Sequence, residues 1–265
     1  MARIITIASN KGGVGKTTTA VSLGVGLRNR GYDVLIVDYD GQSNVTDTLR
    51  VPTSGGTVYD AMKKRIAPYV KPARVLDPDG STGVLDVLPS TFDVSALDSE
   101  LSEQSDRLTR FYTVMGKYTD KYDAIIVDTP PTLGLLSVSA LYAADDLIIT
   151  IQPQYLAVKG LVALQDAINT VNKNRLGLNV KVYVLFTQYD RRKSLHRLTV
   201  EQVEAAGYHT FDTKIRDNVA LGEAPAVGMD IFRYAPRSNG AQDYDALISE
   251  YLNEHKLRHI KHNNR

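Results

Sequence analysis

Ser9-Asn10-Lys11-Gly12-Gly13-Val14-Gly15-Lys16-Thr17-Thr18 lies between an apolar run, Ile4-Ile5-Thr6-Ile7-Ala8, and a helix-like segment that opens Thr19-Ala20-Val21. Strand, glycine-rich loop and helix in that order form the context a phosphate-binding loop requires. Gly12, Gly13 and Gly15 permit a tight turn in which successive N–H groups point at one oxyanion. A helix starting near Gly15 adds the positive end of its dipole. Lys16 can then reach the β- and γ-phosphates of a nucleotide, and the Thr17 hydroxyl can ligate magnesium. Gly12, Gly13, Val14, Gly15, Lys16, Thr17 and Thr18 are therefore the candidate nucleotide contacts. The usual pattern begins with glycine, five positions before Gly15. Here Asn10 stands there, and a second lysine, Lys11, follows it.

The rest of the chain bounds what such a loop can serve. With 265 residues, 43% of them hydrophobic and 23% charged, the composition is that of an ordinary globular protein with a sizeable core. A net charge of +1 gives no global attraction to nucleic acid or membrane, so any such binding must come from a local patch. There is no cysteine, which excludes disulfides, thiolate metal sites, iron–sulfur clusters and a cysteine nucleophile. That absence, with a strand starting within three residues of Met1, leads us to expect a cytoplasmic protein without a signal peptide. No apolar run approaches the ~18–20 residues needed to span a membrane.

Apolar, β-rich runs alternate with helical patterns almost to the end. Strands are expected at 3–8, 33–38, 84–88, 123–128, 146–151 and 180–187, with short edge strands at 208–215 and 230–233. Helices are expected near 16–30, 57–63, 95–118, 136–143, 155–175, 194–206 and 241–256. Several strands are continuous Val/Ile/Leu runs, as in a parallel sheet buried on both faces. The pattern reads as one doubly wound α/β domain over 1–256, followed by a basic tail over 257–265. Residues 50–83, punctuated by Pro and Gly, read as a surface excursion. Leu161, Leu164, Ile168 and Val171 form one stripe, which is core packing.

Two acidic motifs follow strands. In Val37-Asp38-Tyr39-Asp40-Gly41-Gln42-Ser43-Asn44, both carboxylates fall at the carboxyl end of the second strand, where open α/β sheets bind ligands. One could enter the magnesium shell while the other positions water. Without the loop, a helix N-cap and a solvated turn would be the favoured explanation. Ala124-Ile125-Ile126-Val127-Asp128-Thr129 delivers one aspartate to the same edge, the Walker B arrangement that holds magnesium.

Two clusters are basic. Arg191, Arg192, Lys193 and Arg197 surround the start of a helix, and the tail carries Lys256, Arg258, Lys261 and Arg265 with three histidines and no acid. Either could contact a DNA backbone; a charge run on a solvated face is the plainer explanation. The tail histidines do not resemble a metal site. A membrane-surface helix would need a broad apolar face, and Leu257 and Ile260 are the only sizeable apolar residues after Leu252.

Taken together, these motifs resemble the ParA-type partition ATPases, within the deviant-Walker group that also holds MinD-like proteins. The likeness runs from residue 3 to about 252: KGGVGKTT at 11–18, DYDGQSN at 38–44, IIVDTPP at 125–131, IQPQYLAVKGL at 151–161, FTQYDRR at 186–192, NVALGEAP at 218–225 and SNGAQDYDALISEYL at 238–252. Gly41 replaces the usual proline, which keeps both carboxylates and loosens the turn.

The resemblance implies an ATP-dependent, Mg2+-dependent hydrolase that forms a homodimer around two ATP molecules. Lys11 would cross to the partner's phosphates, Asp40 would orient the attacking water, and Asp38 and Asp128 with Thr17 would support magnesium. Gln188 falls in a segment near the adenine. It also implies non-specific DNA binding, nucleoid association and a centromere-binding ParB-like partner that stimulates hydrolysis. Related chains often carry an arginine where Ala220 stands; Arg216 or the two basic clusters would then bear the DNA contact. No helix-turn-helix extension precedes the loop strand, so operator binding is not expected. Two alternatives share the nucleotide site: a MinD-like positioning ATPase, and a metabolic ligase with a small-molecule pocket.

Overall fold

Strand residues of alternating parity go to opposite sides of the sheet, which is why the core falls into separate clusters. Ile5 and Ile7, Val34 and Ile36, and Ala124 and Ile126 enter one cluster; Ile4, Leu35 and Val37, and Ile125 and Val127 enter another. The computed structural model describes residues 1–63, 69–77, 80–154, 157–175, 179–257 and 259. Among them, seven strands form one sheet: β1 Arg3–Ala8, β2 Val34–Asp38, β3 Ala73–Arg74, β4 Leu85–Leu88, β5 Ala124–Asp128, β6 Asp146–Ile151 and β7 Lys181–Phe186. The order is β3-β4-β2-β5-β1-β6-β7, parallel throughout except for β3 against β4. This is the expected doubly wound α/β fold.

The helices are α1 Lys16–Asn29, α2 Asn44–Thr48, α3 Val58–Lys63, α4 Leu97–Glu100, α5 Arg110–Met115, α6 Leu135–Ala143, α7 Ala157–Asn174, α8 Ser194–Ala205, α9 Val219–Ala226, α10 Ile231–Tyr234 and α11 Asn239–Glu254. α1 and α11 pack on one face of the sheet; α3 to α8 cover the other. α1 can approach so closely because of its glycines: a Cβ on Gly26 would lie 2.1 Å from Ile248 Cδ1. In α7 the buried side chains are the four of the expected stripe, Leu161, Leu164, Ile168 and Val171. Tyr155 and Leu156, expected to start that helix, lie outside the described residues.

Three expectations are corrected. The helix read over 95–118 is a 3-10 turn over 92–96, α4, a run of turns, and α5. Its Ser, Thr and Asp residues compete for backbone groups, as Ser102 Oγ does by donating to the Ser99 carbonyl at 2.8 Å. Residues 50–83 are not only a surface excursion, since Val58, Ala61, Met62 and Val70 are buried. Asp60 caps this stretch by accepting the Thr57 N–H at 2.9 Å. Residues 208–215 add a single bridge, Thr210 to Val184, and 230–233 is helical. Asp230 caps α10 by accepting the Phe232 and Arg233 N–H groups, which draws the chain into a turn.

The tail begins inside the fold. His255 rests edge-on against Tyr183, and Leu257 is buried in the same cluster as Tyr251. No described helix is long and apolar enough to cross a membrane. Arg258, Ile260, Lys261 and Arg265 lie outside the described residues.

Candidate functional site

The carboxyl ends of β1, β2 and β5 meet where the loop leaves β1. Ile7 pairs with Asp128, and Asp38 pairs with Asp128, so both acidic motifs stand beside the loop's strand. The loop turns through left-handed backbone at Gly13 (φ 71°) and Gly15 (φ 81°), which side-chain-bearing residues rarely adopt. Gly15 is also the N-cap of α1, and no side chain caps that helix end. The first-turn N–H groups are thus available to an anion.

A cleft of about 580 Å³ opens over this end of the sheet. It is lined by the loop residues Gly12, Gly13, Gly15, Lys16, Thr17 and Thr18, by Asp40, Gln42 and Asn44, and by Gln188 with residues 215–219. Lys16 is mostly buried, and its Nζ donates to the Lys11 carbonyl at 3.3 Å. Burial lowers its pKa; the carboxylates of Asp128 and Asp40 oppose that shift.

The Thr17 hydroxyl donates to Asp128 Oδ2 at 2.6 Å. Asp38 Oδ2 accepts the Thr46 hydroxyl at 2.7 Å and the Thr46 N–H at 2.9 Å. Both aspartates are fully buried, and the remaining oxygen of each, Oδ1, has no hydrogen-bond partner. Desolvation raises the pKa of Asp38 and of Asp128, and in Asp128 the neighbouring Asp38 charge adds to the rise. Two desolvated carboxylates with orphaned oxygens, beside a threonine hydroxyl and a phosphate-binding loop, are the hard donors magnesium takes. The residues fit that ion. Among the described residues no three His, Cys, Asp or Glu side chains cluster into a self-sufficient cage.

Asp40 is only 8% exposed and borders the cleft, its Oδ1 accepting the Gln42 N–H at 3.0 Å. Lys11 behaves differently from its neighbours. It is exposed, and its Nζ donates to Gln154 Oε1 at 2.7 Å, in a separate hollow of about 360 Å³ behind the loop. A chain of glutamines continues from there: Gln154 donates to Gln152 Oε1 at 2.8 Å, and Gln152 donates to Gln188. Gln152 and Gln188 both also donate to the Gly13 carbonyl, at 3.2 and 2.9 Å. Gln188 sits in left-handed backbone (φ 51°).

The basic residues divide. Arg191, Arg192, Lys193 and Arg197 are exposed around the start of α8. Arg192 pairs with Asp190 and holds that carboxyl well below the usual range, while His196 is buried and accepts the Asp190 N–H through Nδ1 at 3.0 Å. Arg216 lines the nucleotide cleft, its guanidinium donating to Asp243 Oδ1 from both Nε (3.0 Å) and Nη2 (2.6 Å). Lys256 is exposed just before the buried Leu257. Sequence reasoning missed Gln42, Asn44, Thr46, Ser90, Gln152 and Gln154. Gln42 and Asn44 lay inside a quoted motif, but nothing in their residue type marks them apart from turn residues.

Residues 2–183 match a family model described as an AAA domain. The sporulation initiation inhibitor protein Soj of Bacillus subtilis is 38% identical over 256 residues, covering 94% of this chain and 98% of that protein. The chromosome-partitioning ATPase Soj of Treponema pallidum is 35% identical over 258 residues, covering 95% and 98%. Among solved structures, cobyrinic acid a,c-diamide synthase from Mycobacterium smegmatis with bound ADP and magnesium superposes with a TM-score of 0.76 at 27% identity, covering 99% of this chain and 100% of that one.

Proposed function

The chain belongs to the ParA/Soj family of chromosome-partitioning ATPases, and on that footing we propose that it is an ATP-controlled dimerisation switch that binds DNA without sequence preference. It is an ATP hydrolase that works with ATP and magnesium. In this reading the phosphates lie along Gly12–Thr18, and the base lies toward Gln188 and residues 215–219. Thr17, Asp38 and Asp128 hold magnesium. Bound magnesium supplies charge neutralisation on the β- and γ-phosphates. Asp40, at the cleft wall with one oxygen already engaged, orients the attacking water, and Lys16 draws charge from the γ-phosphate.

The position of Lys11 carries the dimer reading. Its ammonium is turned to Gln154, outside the cleft that Gly12 to Thr18 line. A cation that does not line the cleft of its own chain supports a role on the nucleotide of a second copy, so that turnover waits on assembly. DNA then meets the exposed Arg191, Arg192, Lys193 and Arg197, with Lys256 and Arg258 of the tail, and a ParB-like centromere-binding protein releases it by stimulating hydrolysis.

The membrane-positioning alternative needs an apolar tail face. Leu257, half of the candidate apolar pair, is spent in the core. Retention of the protein on DNA at low salt with ATP, but not with ADP, and loss of retention as salt rises, are the expected results. Absence of retention at low salt with ATP, together with ATP-dependent co-sedimentation with vesicles, would transfer the reading to the membrane.

A further inference from the structure

Both aspartates of the first acidic motif, Asp38 and Asp40, are tied to one pair of side chains that the nucleotide site itself does not use. Thr46, in the first turn of α2, gives two bonds to Asp38 Oδ2: its hydroxyl at 2.7 Å and its N–H at 2.9 Å. The direction of the hydroxyl bond is fixed by a third partner. The Ser90 backbone N–H donates to Thr46 Oγ1 at 2.9 Å, so the single hydroxyl proton is left for the carboxylate. Ser90 then turns its own hydroxyl to the Asp40 backbone carbonyl at 2.7 Å. Asp38, Thr46, Ser90 and Asp40 are 0%, 4%, 1% and 8% exposed, so water does not compete for these bonds.

The consequences for the two aspartates differ. Two donors on Oδ2 stop the Asp38 carboxylate from rotating and decide that Oδ1, which has no partner, is the oxygen left for a cation. Ser90 does not touch the Asp40 carboxylate; it anchors the backbone from which that carboxylate projects, at the point where the chain turns into Gly41. We infer that Thr46 and Ser90 are positioning residues for hydrolysis: Thr46 orients Asp38 for magnesium, and Ser90 holds the Asp40 backbone so that its carboxylate meets the attacking water. This rests on the roles proposed above for Asp38 and Asp40.

Because the two tasks are separable, two measurements on the full chain test the inference. One is calorimetric Mg2+ binding to the ADP-loaded protein, where no turnover occurs; the other is kcat and the Mg2+ dependence of ATP hydrolysis. Thr46→Val and Thr46→Ala should weaken Mg2+ binding about 10- to 100-fold, the range typical for partners that orient a metal ligand. Thr46→Ser, which keeps the hydroxyl and drops the methyl, should restore it. Ser90→Ala keeps the backbone N–H to Thr46, so Mg2+ affinity should stay near wild type while kcat falls about tenfold or more through misplacement of Asp40.

Equal losses in Thr46→Ser and Thr46→Ala would make the residue a packing element and overturn the role assigned to its hydroxyl. Wild-type Mg2+ affinity in Thr46→Ala, alongside a loss in Asp38→Asn, would overturn the Thr46 inference alone. Wild-type affinity in Asp38→Asn would overturn the reading beneath it. Wild-type kcat in Ser90→Ala would overturn the role of Ser90.

Discussion

Asp38 and Asp128 stand opposite one another in register on adjacent parallel strands, each fully buried and each with one oxygen that nothing in the fold satisfies. Burial raises both pKa values above the range of an unfolded aspartate, and the Asp38 charge pushes Asp128 further. A carboxyl whose folded pKa is raised binds more protons in the folded than in the unfolded state. Its contribution to stability is therefore complete at low pH and is lost as pH rises through the folded value. Metal-free protein should lose stability between pH 5 and pH 8, and Asp128→Asn should remove part of that loss. The substitution should therefore stabilise the metal-free chain at pH 8 and do so less at pH 5. Urea unfolding in EDTA at the two pH values measures it; an equal effect at both would show that the pair is not protonated in the fold.

Lys11, Lys16 and Asp40 should separate three steps of one cycle. Lys16 lines the cleft and Lys11 does not. Lys16→Ala should weaken nucleotide binding, whereas Lys11→Ala should bind nucleotide normally, stay monomeric with ATP in light scattering, and lose partner-stimulated turnover. Asp40→Ala should bind ATP and dimerise, yet turn over slowly, with kcat down by about 100-fold or more. Wild-type stimulated hydrolysis in Lys11→Ala would end the in-trans reading.

The nucleotide loop was legible because its signals are local: glycine spacing, a lysine, a threonine and an apolar strand before them all fall within 16 residues. Asp38 and Asp128 were legible as strand-end acids because strand parity and the edge rule place them without side-chain detail. Thr46, Ser90 and Gln154 were not. Their roles exist only through contacts with Asp38, Asp40 and Lys11, and the Ser90 contact spans 50 residues of sequence. The helix expected over 95–118 failed for the opposite reason: its apolar periodicity is real, but Ser102 Oγ donates to the Ser99 carbonyl and Thr109 Oγ1 to the Asp106 carbonyl, local bonds that compete with the helix over the middle of the run.

Arg50, just after α2, lies close against Gly228, in the turn after α9. Both adopt left-handed backbone, with φ of 50° and 69°. A Cβ on Gly228 would lie 1.9 Å from Arg50 Nε, so the arginine must move when that position gains a side chain. Gly228→Ala should therefore destabilise by on the order of 2–3 kcal/mol, combining backbone strain with displacement of the guanidinium. In an Arg50→Ala background only the backbone part remains, about 1–2 kcal/mol. A double-mutant cycle by denaturant unfolding reads the difference as coupling; strict additivity would mean that Arg50 yields without cost.

Arg216 and the α8 cluster should respond oppositely to substitution. The Arg216 guanidinium and its backbone N–H are both committed to Asp243, so it is an anchor between the cleft wall and α11. Arg216→Ala should cost on the order of 1–3 kcal/mol of stability, the usual loss when a hydrogen-bonded charge is left alone, and should leave the salt dependence of DNA retention unchanged. Arg191 and Arg192 are exposed, and the Arg192 pair with Asp190 lies at the surface, where such pairs contribute little. Arg191→Glu with Arg192→Glu should leave the melting temperature nearly unchanged. If each residue neutralises one phosphate, the double reversal should make the slope of log K against log salt shallower by about 2. A salt titration of DNA retention with ATP distinguishes the sites, because a slope that changes with Arg216→Ala and not with the double reversal would move the DNA contact from α8 to the rim of the nucleotide cleft.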